Sequence, residues 1–296
     1  MGVACVALSA ASFGVMSIFA VYAYEAGASV STLLFLRFFL AASVFFGLLF
    51  WQRQSLRVGK KQLLGLFLLG GVLYTMQSLC FFSSVQYIPT SLAGLLLYTF
   101  PVYVAILSRI VDKEALRAKT VAAMLVSLAG LGLVLGRSFA EVSPYGLMLA
   151  LAAALFYSFY IVVGNRVSKG LSTYATSGYI SLFASVSFFF LAQAEGGLAF
   201  SFGVTGWWAL AGIVLISTVI AISFFIRGLQ LIGSTKTSVV STLEPVVTIL
   251  FSAVLFAEKL SVMQMLGACA VLTGAVLIVS SKQEAPVRQK EHPPVA

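Results

Sequence analysis

The chain has 296 residues, of which 60% are hydrophobic and 9% charged, against roughly 45–50% apolar in an ordinary soluble domain. That balance excludes a soluble globular fold and predicts an integral membrane protein. A net charge of +9 would point to nucleic acid or acidic partners in a soluble chain, but its placement here gives it a different meaning.

Apolar runs long enough to cross a ~30 Å hydrocarbon core as helices recur from end to end. In chain order they fall at about 3–24, 31–51, 63–83, 90–110, 119–136, 145–164, 173–193, 206–226, 237–257 and 262–281. An all-α membrane protein with ten transmembrane helices is therefore expected. The first run begins almost at Met1, with neither a basic leader nor a small-residue cleavage pattern, and reads as retained helix rather than signal peptide. Cys5, Cys80 and Cys269 lie within runs, far apart in sequence, and are expected to behave as small hydrophobes rather than as metal ligands.

With the first end inside, the Lys and Arg residues of the connecting segments divide 15 to 2. Arg53, Arg57, Lys60, Lys61, Arg109, Lys113, Arg117, Lys119, Arg166, Lys169, Arg227, Lys236, Lys282, Arg288 and Lys290 fall on one side, and Arg137 and Lys259 on the other. Such an excess sets orientation, so both termini are expected in the cytoplasm, and no charge is left for nucleic acid to explain. The polar, proline-containing tail at 282–296 is expected to be disordered.

Sliding the sequence by 144 residues pairs Gln86 with Gln230, Pro101 with Pro245, Glu114 with Glu258, Leu116 with Leu260 and Gly130 with Gly274. Upstream, a one-residue shift sets "SAASFGVMSIF" (9–19) beside "AAALFYSFYIV" (152–162). Each half holds five runs, an odd number, so the second copy enters the membrane from the opposite side. Two inverted five-helix repeats, at 1–140 and 141–281, are predicted, a construction used by secondary transporters with the binding site at the repeat interface.

Each half ends in Pro, a helical run, Glu-x-Leu and a Gly/Ala-rich final helix: "PVYVAILSRIVDKEAL…SLAGLGLVLG" and "PVVTILFSAVLFAEKL…AVLTGAVLIVS". With "LRFFLAA" in the second run, the chain resembles the drug/metabolite transporter superfamily, and within it the EamA-type ten-helix proteins. The chain differs from that pattern in having Phe13 or Phe156 where tryptophan is usual, and "VDKE" and "LFAE" in place of Leu-Gly-Glu. The resemblance implies a multi-pass protein of the bacterial inner membrane that moves small metabolites, often outward. It names no cargo.

Proline within a helix removes one backbone bond and displaces the carbonyl four residues earlier, here those of Leu97 (Pro101) and Ser241 (Pro245). Such a kink serves helix packing or lines a pathway. Glu244 lies beside Pro245, while its partner in the repeat is Phe100; the fold requires proline twice and the carboxylate once. An ionisable residue at depth is a functional candidate by default, so Glu244 is expected to meet a substrate amine, a cation or a proton, with a brace for a buried hydroxyl or Arg as the alternative. For Arg37, near the outer end of the second run, a structural role is expected, either snorkelling outward or meeting Glu25.

Polar and aromatic side chains concentrate in runs one, three, four, six, eight and nine, which are expected to line a cavity. The candidates are Phe13, Ser17, Tyr74, Gln77, Tyr98, Phe100, Tyr157, Ser241, Thr242 and Glu244. A hydroxyl alone is more often bonded to its own helix, but the aromatics suit a partly apolar or cationic cargo. "GLVLG" (132–136) and "AVLTG" (270–274) permit close helix approach; packing within one chain is favoured over dimerisation, and monomer and homodimer both stay open.

A secondary transporter, exporting metabolites such as amino acids or related compounds by alternating access in the lipid bilayer, is the resulting expectation. No Walker motif occurs, so ATP is not the direct drive, and no cofactor or metal is expected. A proton is the simplest coupling ion, because desolvation favours a buried carboxyl's neutral form and a cationic partner its charged form. The rivals are an intramembrane lipid-modifying enzyme, for which the single histidine, His292, supplies no catalytic constellation, and a passive channel or scaffold.

Overall fold

The computed structural model describes residues 1–53, 58–84, 86–88, 90–111, 118–135, 143–255 and 261–280, which contain helices and no strand. Outside the described residues lie Arg57, Lys113, Arg117, Arg137, Lys259, Gly136, the pairs Glu114 with Glu258 and Leu116 with Leu260, the junction between the halves and the tail 282–296.

The first apolar run forms α1 (Gly2–Gly14) and α2 (Met16–Glu25), bent at Val15, and the second forms α3 (Val30–Trp51). The third starts as α4 (Lys60–Phe67), passes through a π-helical stretch at Leu68–Tyr74 and continues as α5 (Thr75–Ser84). The fourth is two helices, α6 (Thr90–Leu97) and α7 (Phe100–Val111), followed by α8 (Ala118–Leu135). Next come α9 (Pro144–Val167), α10 (Thr173–Ala194) and α11 (Val204–Val214). A second π-helical stretch, Leu215–Ile220, leads into α12 (Ala221–Ser241), then α13 (Glu244–Leu255) and α14 (Val262–Ser280).

Local chemistry fixes several of these ends. The Ser29 hydroxyl accepts from the Thr32 N–H (3.3 Å) and that of Ser172 from the Ala175 N–H (3.1 Å), capping α3 and α10. Pro144 stands at the first turn of α9, where its missing N–H has no helical partner to lose. Within α12, Gly233 adopts φ 78° and ψ 176°, a conformation that penalises any side chain, and it divides the element into two arms.

Six runs among the described residues are long and apolar enough to cross a membrane: Gly2–Glu25, Val30–Trp51, Lys60–Phe81, Pro144–Val167, Thr173–Ala194 and Val204–Ser241. Phe100–Val111, Ala118–Leu133 and Met265–Leu277 are shorter apolar helices. Large apolar side chains such as Phe50, Trp51, Trp208 and Val254 are exposed, as expected where lipid rather than water surrounds the protein.

The pairings that organise the bundle are α3 with α10, α1 with α12, α5 with α9, α2 with α11, and α8 with α14. Glycines permit the closest of them. A Cβ on Gly130 of α8 would lie 2.6 Å from the Gly267 carbonyl oxygen and 2.8 Å from the Val271 nitrogen. One on Gly274 of α14 would lie 2.8 Å from the Ala123 carbonyl oxygen and would overlap Ser127. Likewise, Gly2 packs on Leu231 and Ile232, and Gly146 on Tyr87 and Ile88. A core of Phe38, Phe45, Phe100, Phe188, Ile161, Ile180, Leu210 and Ile213 fills the centre.

Candidate functional site

A cavity of about 550 Å³ opens among α1, α2, α3, α5, α6, α7, α9, α11, α12 and α13, within the range usual for small-molecule sites. Its wall extends to Val21 and Tyr24 near the end of α2, to Leu33 near the start of α3 and to Phe81 in α5. The expected lining helices are all present. The second run was not expected to contribute, yet α3 supplies Leu33, Leu34 and Arg37.

Two helix interruptions shape the floor. The chain turns at Tyr98 and Thr99 between α6 and α7, and at Thr242 and Leu243 between α12 and α13. Pro101 and Pro245 are therefore not in mid-helix, as the sequence suggested. Each is the second residue of a new helix, where the lost N–H has no helical acceptor. Pro245 lines the cavity together with Leu97, whereas Pro101 is buried beside it.

Glu244 opens α13 and reaches the cavity from its first turn, a position that suits a negative charge near the positive end of the helix dipole. The Tyr98 side chain hydrogen-bonds its carboxyl group. The α1 backbone approaches at Gly14, whose Cβ, were there one, would lie 2.8 Å from the Glu244 carbonyl oxygen. The Thr248 hydroxyl donates to the Gly14 carbonyl at 2.8 Å and to that of Glu244 at 3.2 Å, tying α13 to the bend in the first run.

Arg37 neither snorkels outward nor meets Glu25. It is buried at 3% exposure because the π-helical stretch of the second half offers it partners. Its Nε donates to the Thr218 hydroxyl at 2.7 Å and its Nη2 to the Ser217 carbonyl at 3.4 Å. Thr218 in turn donates to the Ile213 carbonyl, five residues back, at 2.8 Å, and Thr75 does the same to Gly70 at 3.2 Å in the other π-helical stretch. Each widened turn is thus closed by a threonine, and π-helical turns concentrate at functional sites.

Between these charges runs a belt of rings. Tyr98 is followed by Phe100 (centroids 6.1 Å apart), Tyr157 (4.7 Å), Tyr160 (6.0 Å), Tyr74 (5.8 Å) and Phe38 (5.1 Å). The Arg37 guanidinium lies 4.8 Å from the Phe38 centroid. Glu244 thus adjoins the first ring of this series, through Tyr98, and Arg37 the last. They form no ion pair, although each lies within electrostatic range of the other.

Of the residues expected at the site, Phe13, Tyr74, Gln77, Tyr98, Phe100, Tyr157 and Glu244 line the cavity. Ser241 and Thr242 do not; they are buried, and the Thr242 hydroxyl donates to the Val239 carbonyl at 2.6 Å. Ser17 lies in α2, and its side chain is outside the described residues. Tyr160, Tyr24 and Thr248, none of them among the ten candidates, also line the cavity. Tyr160 was findable, because it follows Tyr157 by three residues and shares its helix face. Among the described residues no group of three or more His, Cys, Asp or Glu could hold a metal ion.

The EamA-like transporter family model matches residues 1–136 and again 144–280. The chain belongs to the EamA-like transporter family. It is 27% identical over 283 residues to an uncharacterized transporter of Archaeoglobus fulgidus, covering 93% of this chain and 95% of that one. It is also 27% identical to the threonine/homoserine exporter RhtA of Salmonella typhimurium, over 77% of this chain and 75% of the exporter. A crystal structure with 21% identity superposes with a TM-score of 0.79 over 94% of this chain and 96% of that chain, a likeness of fold alone. The EamA-like chain is thus a multi-pass membrane transporter, not an enzyme, with a small-molecule substrate and lipid around it.

Proposed function

We propose that this EamA-like protein is a secondary transporter that exports amino acids or related small metabolites by alternating access. The observation that carries the proposal is a cavity walled by both halves of the chain, with Glu244 and Arg37 on its surface. The exporter of threonine and homoserine among its relatives supports cargo of this class.

Ten transmembrane helices in two inverted halves, 1–140 and 141–281, are the frame of this reading. Reciprocal packing supports it. An offset of 144 residues converts Gly130 against Gly267 and Val271 into Gly274 against Ala123 and Ser127. The same offset converts Gly2 against Leu231 and Ile232 into Gly146 against Tyr87 and Ile88. Exchange of partners in this way is the property of a pseudo-two-fold axis between repeats, around which such transporters rock. The helix interruptions at 98–99 and 242–243 obey the same offset.

Both termini, with the tail 282–296, are assigned to the cytoplasm of a bacterial inner membrane on the 15 to 2 charge division. The cavity then opens outward, because its wall extends to the ends of the helices that carry Tyr24, Leu33 and Phe81. Glu244 is the candidate proton carrier, since it can exchange a proton for a cationic group of the cargo. Metabolite profiling of cells with and without the protein, followed by flux into proteoliposomes with and without a pH gradient, tests the proposal. Saturable, gradient-dependent flux is expected. Flux that does not saturate would favour a channel.

A further inference from the structure

We propose that Gln230 and Gln86 are alternate latches of the transport cycle. Gln230 holds shut the end of the bundle at the α9–α10 turn in the state seen here. Gln86, its counterpart in the repeat, closes the opposite end by equivalent bonds to the α2–α3 turn when the cavity faces the other way. This rests on the transporter reading with two exchanging halves and adds to it the residues that hold each end.

Phe35 meets Phe189 and Phe46 meets Tyr179, with ring centroids 5.6 and 5.2 Å apart. The helices α3 and α10 therefore run antiparallel, and their first turns lie at opposite ends of the bundle. The turns that precede them are built alike, 143 residues apart. Gly27 and Gly170 have φ of 94° and 77°, and Ser29 and Ser172 cap the helices that follow.

At the second of these turns the bundle is closed. The Gln230 Nε2 donates to the carbonyls of Ser168 (2.9 Å) and Leu171 (3.3 Å), and its Oε1 accepts from the Thr173 hydroxyl at 3.4 Å. The helix that carries it, α12, packs on both α9 and α10. A second cavity of about 370 Å³ is lined by Gln230, Thr173, Tyr174, Ser223, Phe224 and Arg227. Ile222 and Phe225 face the main cavity instead, so the first arm of α12 is the wall between the two.

At the first turn the same contact is open. The main cavity reaches this end at Tyr24, Leu33 and Phe81, and Gln86 is exposed. Among the described residues α5, which leads to Gln86, has no packing on α1, α2 or α3 comparable to that of α12 on α9 and α10. The counterparts of the Ser168 and Leu171 carbonyls are those of Glu25 and Ala28, and neither accepts a backbone N–H among the described residues. A rocking motion that exchanges the geometries of the halves brings Gln86 to these carbonyls and takes Gln230 off its own. The Ser168 hydroxyl, buried at the closed end without a partner, gains a hydrogen bond to water when that end opens. Val30 stands where the other half has Thr173. The Gln86 latch thus lacks the third bond and is the weaker of the two, in keeping with the end that is open here.

The test uses the purified full-length protein in detergent, in a background lacking Cys5, Cys80 and Cys269, and the rate at which single cysteines react with a charged thiol reagent. Leu34→Cys reports the open end, because Leu34 lines the main cavity. Ser177→Cys reports the closed end, because Ser177 is the counterpart of Leu34 and is fully buried with an unpaired hydroxyl. Gln230→Leu should raise the rate at Ser177→Cys about fivefold or more, the population shift expected from losing one net hydrogen bond. Gln86→Leu should lower that rate, and Val30→Thr, which supplies the missing hydroxyl without removing a contact, should raise it; Leu34→Cys should change little throughout. Thr173→Val should act as Gln230→Leu does but less, which keeps the test open if Gln230→Leu does not fold. Both leucine variants raising the rate alike would mark general loosening and overturn the latches. Unmoved rates beside saturable wild-type flux would overturn them too and leave the transporter reading standing. A wild type without saturable flux would remove that reading, and the latches with it.

Discussion

Gly14 and Glu244 meet backbone to backbone: a Cβ on the glycine would lie 2.8 Å from the glutamate's carbonyl oxygen and 2.9 Å from the Val247 Cβ. Offsets of 143 and 144 residues carry this pair to Tyr157 and Phe100, whose rings meet edge to face at 4.7 Å. One half thus holds a packed aromatic pair where the other holds a glycine and a carboxylate. The small residue lets α1 come close enough to hold the start of α13, and with it Glu244, at the cavity wall.

Gly14→Ala is therefore expected to destabilise. Overpacking against backbone costs about 1–3 kcal/mol, offset by about 1 kcal/mol from the better helix propensity of alanine. Gly47→Ala, where a Cβ meets nothing within 4 Å, should keep only the gain. Melting in detergent checks this: Gly14→Ala should melt below wild type and Gly47→Ala at or above it.

Thr218 and Thr75 close equivalent π-helical turns, but only Thr218 also accepts from Arg37. Replacing each by valine removes one hydroxyl that closes a turn. In Thr218→Val a buried charged donor is also left unsatisfied, a penalty of about 1–3 kcal/mol or more. Thr218→Val should melt lower than Thr75→Val; equal melting would mean that Arg37 finds another partner.

Pro101→Ala and Pro245→Ala should fold, since each proline occupies a first helical turn, a position that alanine also accepts. Alanine would let the helix extend back through the interruption and so oppose any change in its angle during the cycle. Proteoliposome flux per folded molecule should fall several-fold in both variants. Unchanged flux in both would return the prolines to packing.

Orientation is checked with single cysteines in a background lacking Cys5, Cys80 and Cys269. Gly59 and Gly203 have ordinary backbone angles and space for a side chain, unlike Gly170 and Gly196 with their positive φ. Gly59→Cys and Lys169→Cys should react with an impermeant reagent from the cytoplasm only, and Gly203→Cys from outside only. Labelling of Gly59→Cys and Gly203→Cys from one face would rule out the inverted arrangement.

Much of this was legible in the residues. Composition and run length gave helices in lipid, and five of the six long runs lie close to where the sequence put them; the sixth, Val204–Ser241, continues past the expected end at 226 and takes in the start of the run expected at 237–257. The asymmetry of Glu244 against Phe100 drew attention to a side chain that does line the cavity. The orientation of hydroxyls around the interruptions was not legible, because helical periodicity cannot be carried across a break; hence Ser241 and Thr242 turn into packing rather than the cavity. Arg37 was misjudged because its partners, Ser217 and Thr218, lie about 180 residues away on a turn whose widening no local pattern announces. The repeat held a clue: Thr75 and Thr218 stand 143 residues apart, in register, each closing its own turn.

The most direct test of the account is Glu244→Gln, which keeps shape and hydrogen-bonding capacity while removing charge and titration. It is measured by melting in detergent and by proteoliposome flux of the profiled cargo under an imposed pH gradient. The account predicts melting close to wild type and gradient-driven flux lower by about tenfold or more, equivalent to about 1.4 kcal/mol. A lower melting temperature with unchanged flux per folded molecule would contradict it and make the carboxylate a brace for Tyr98.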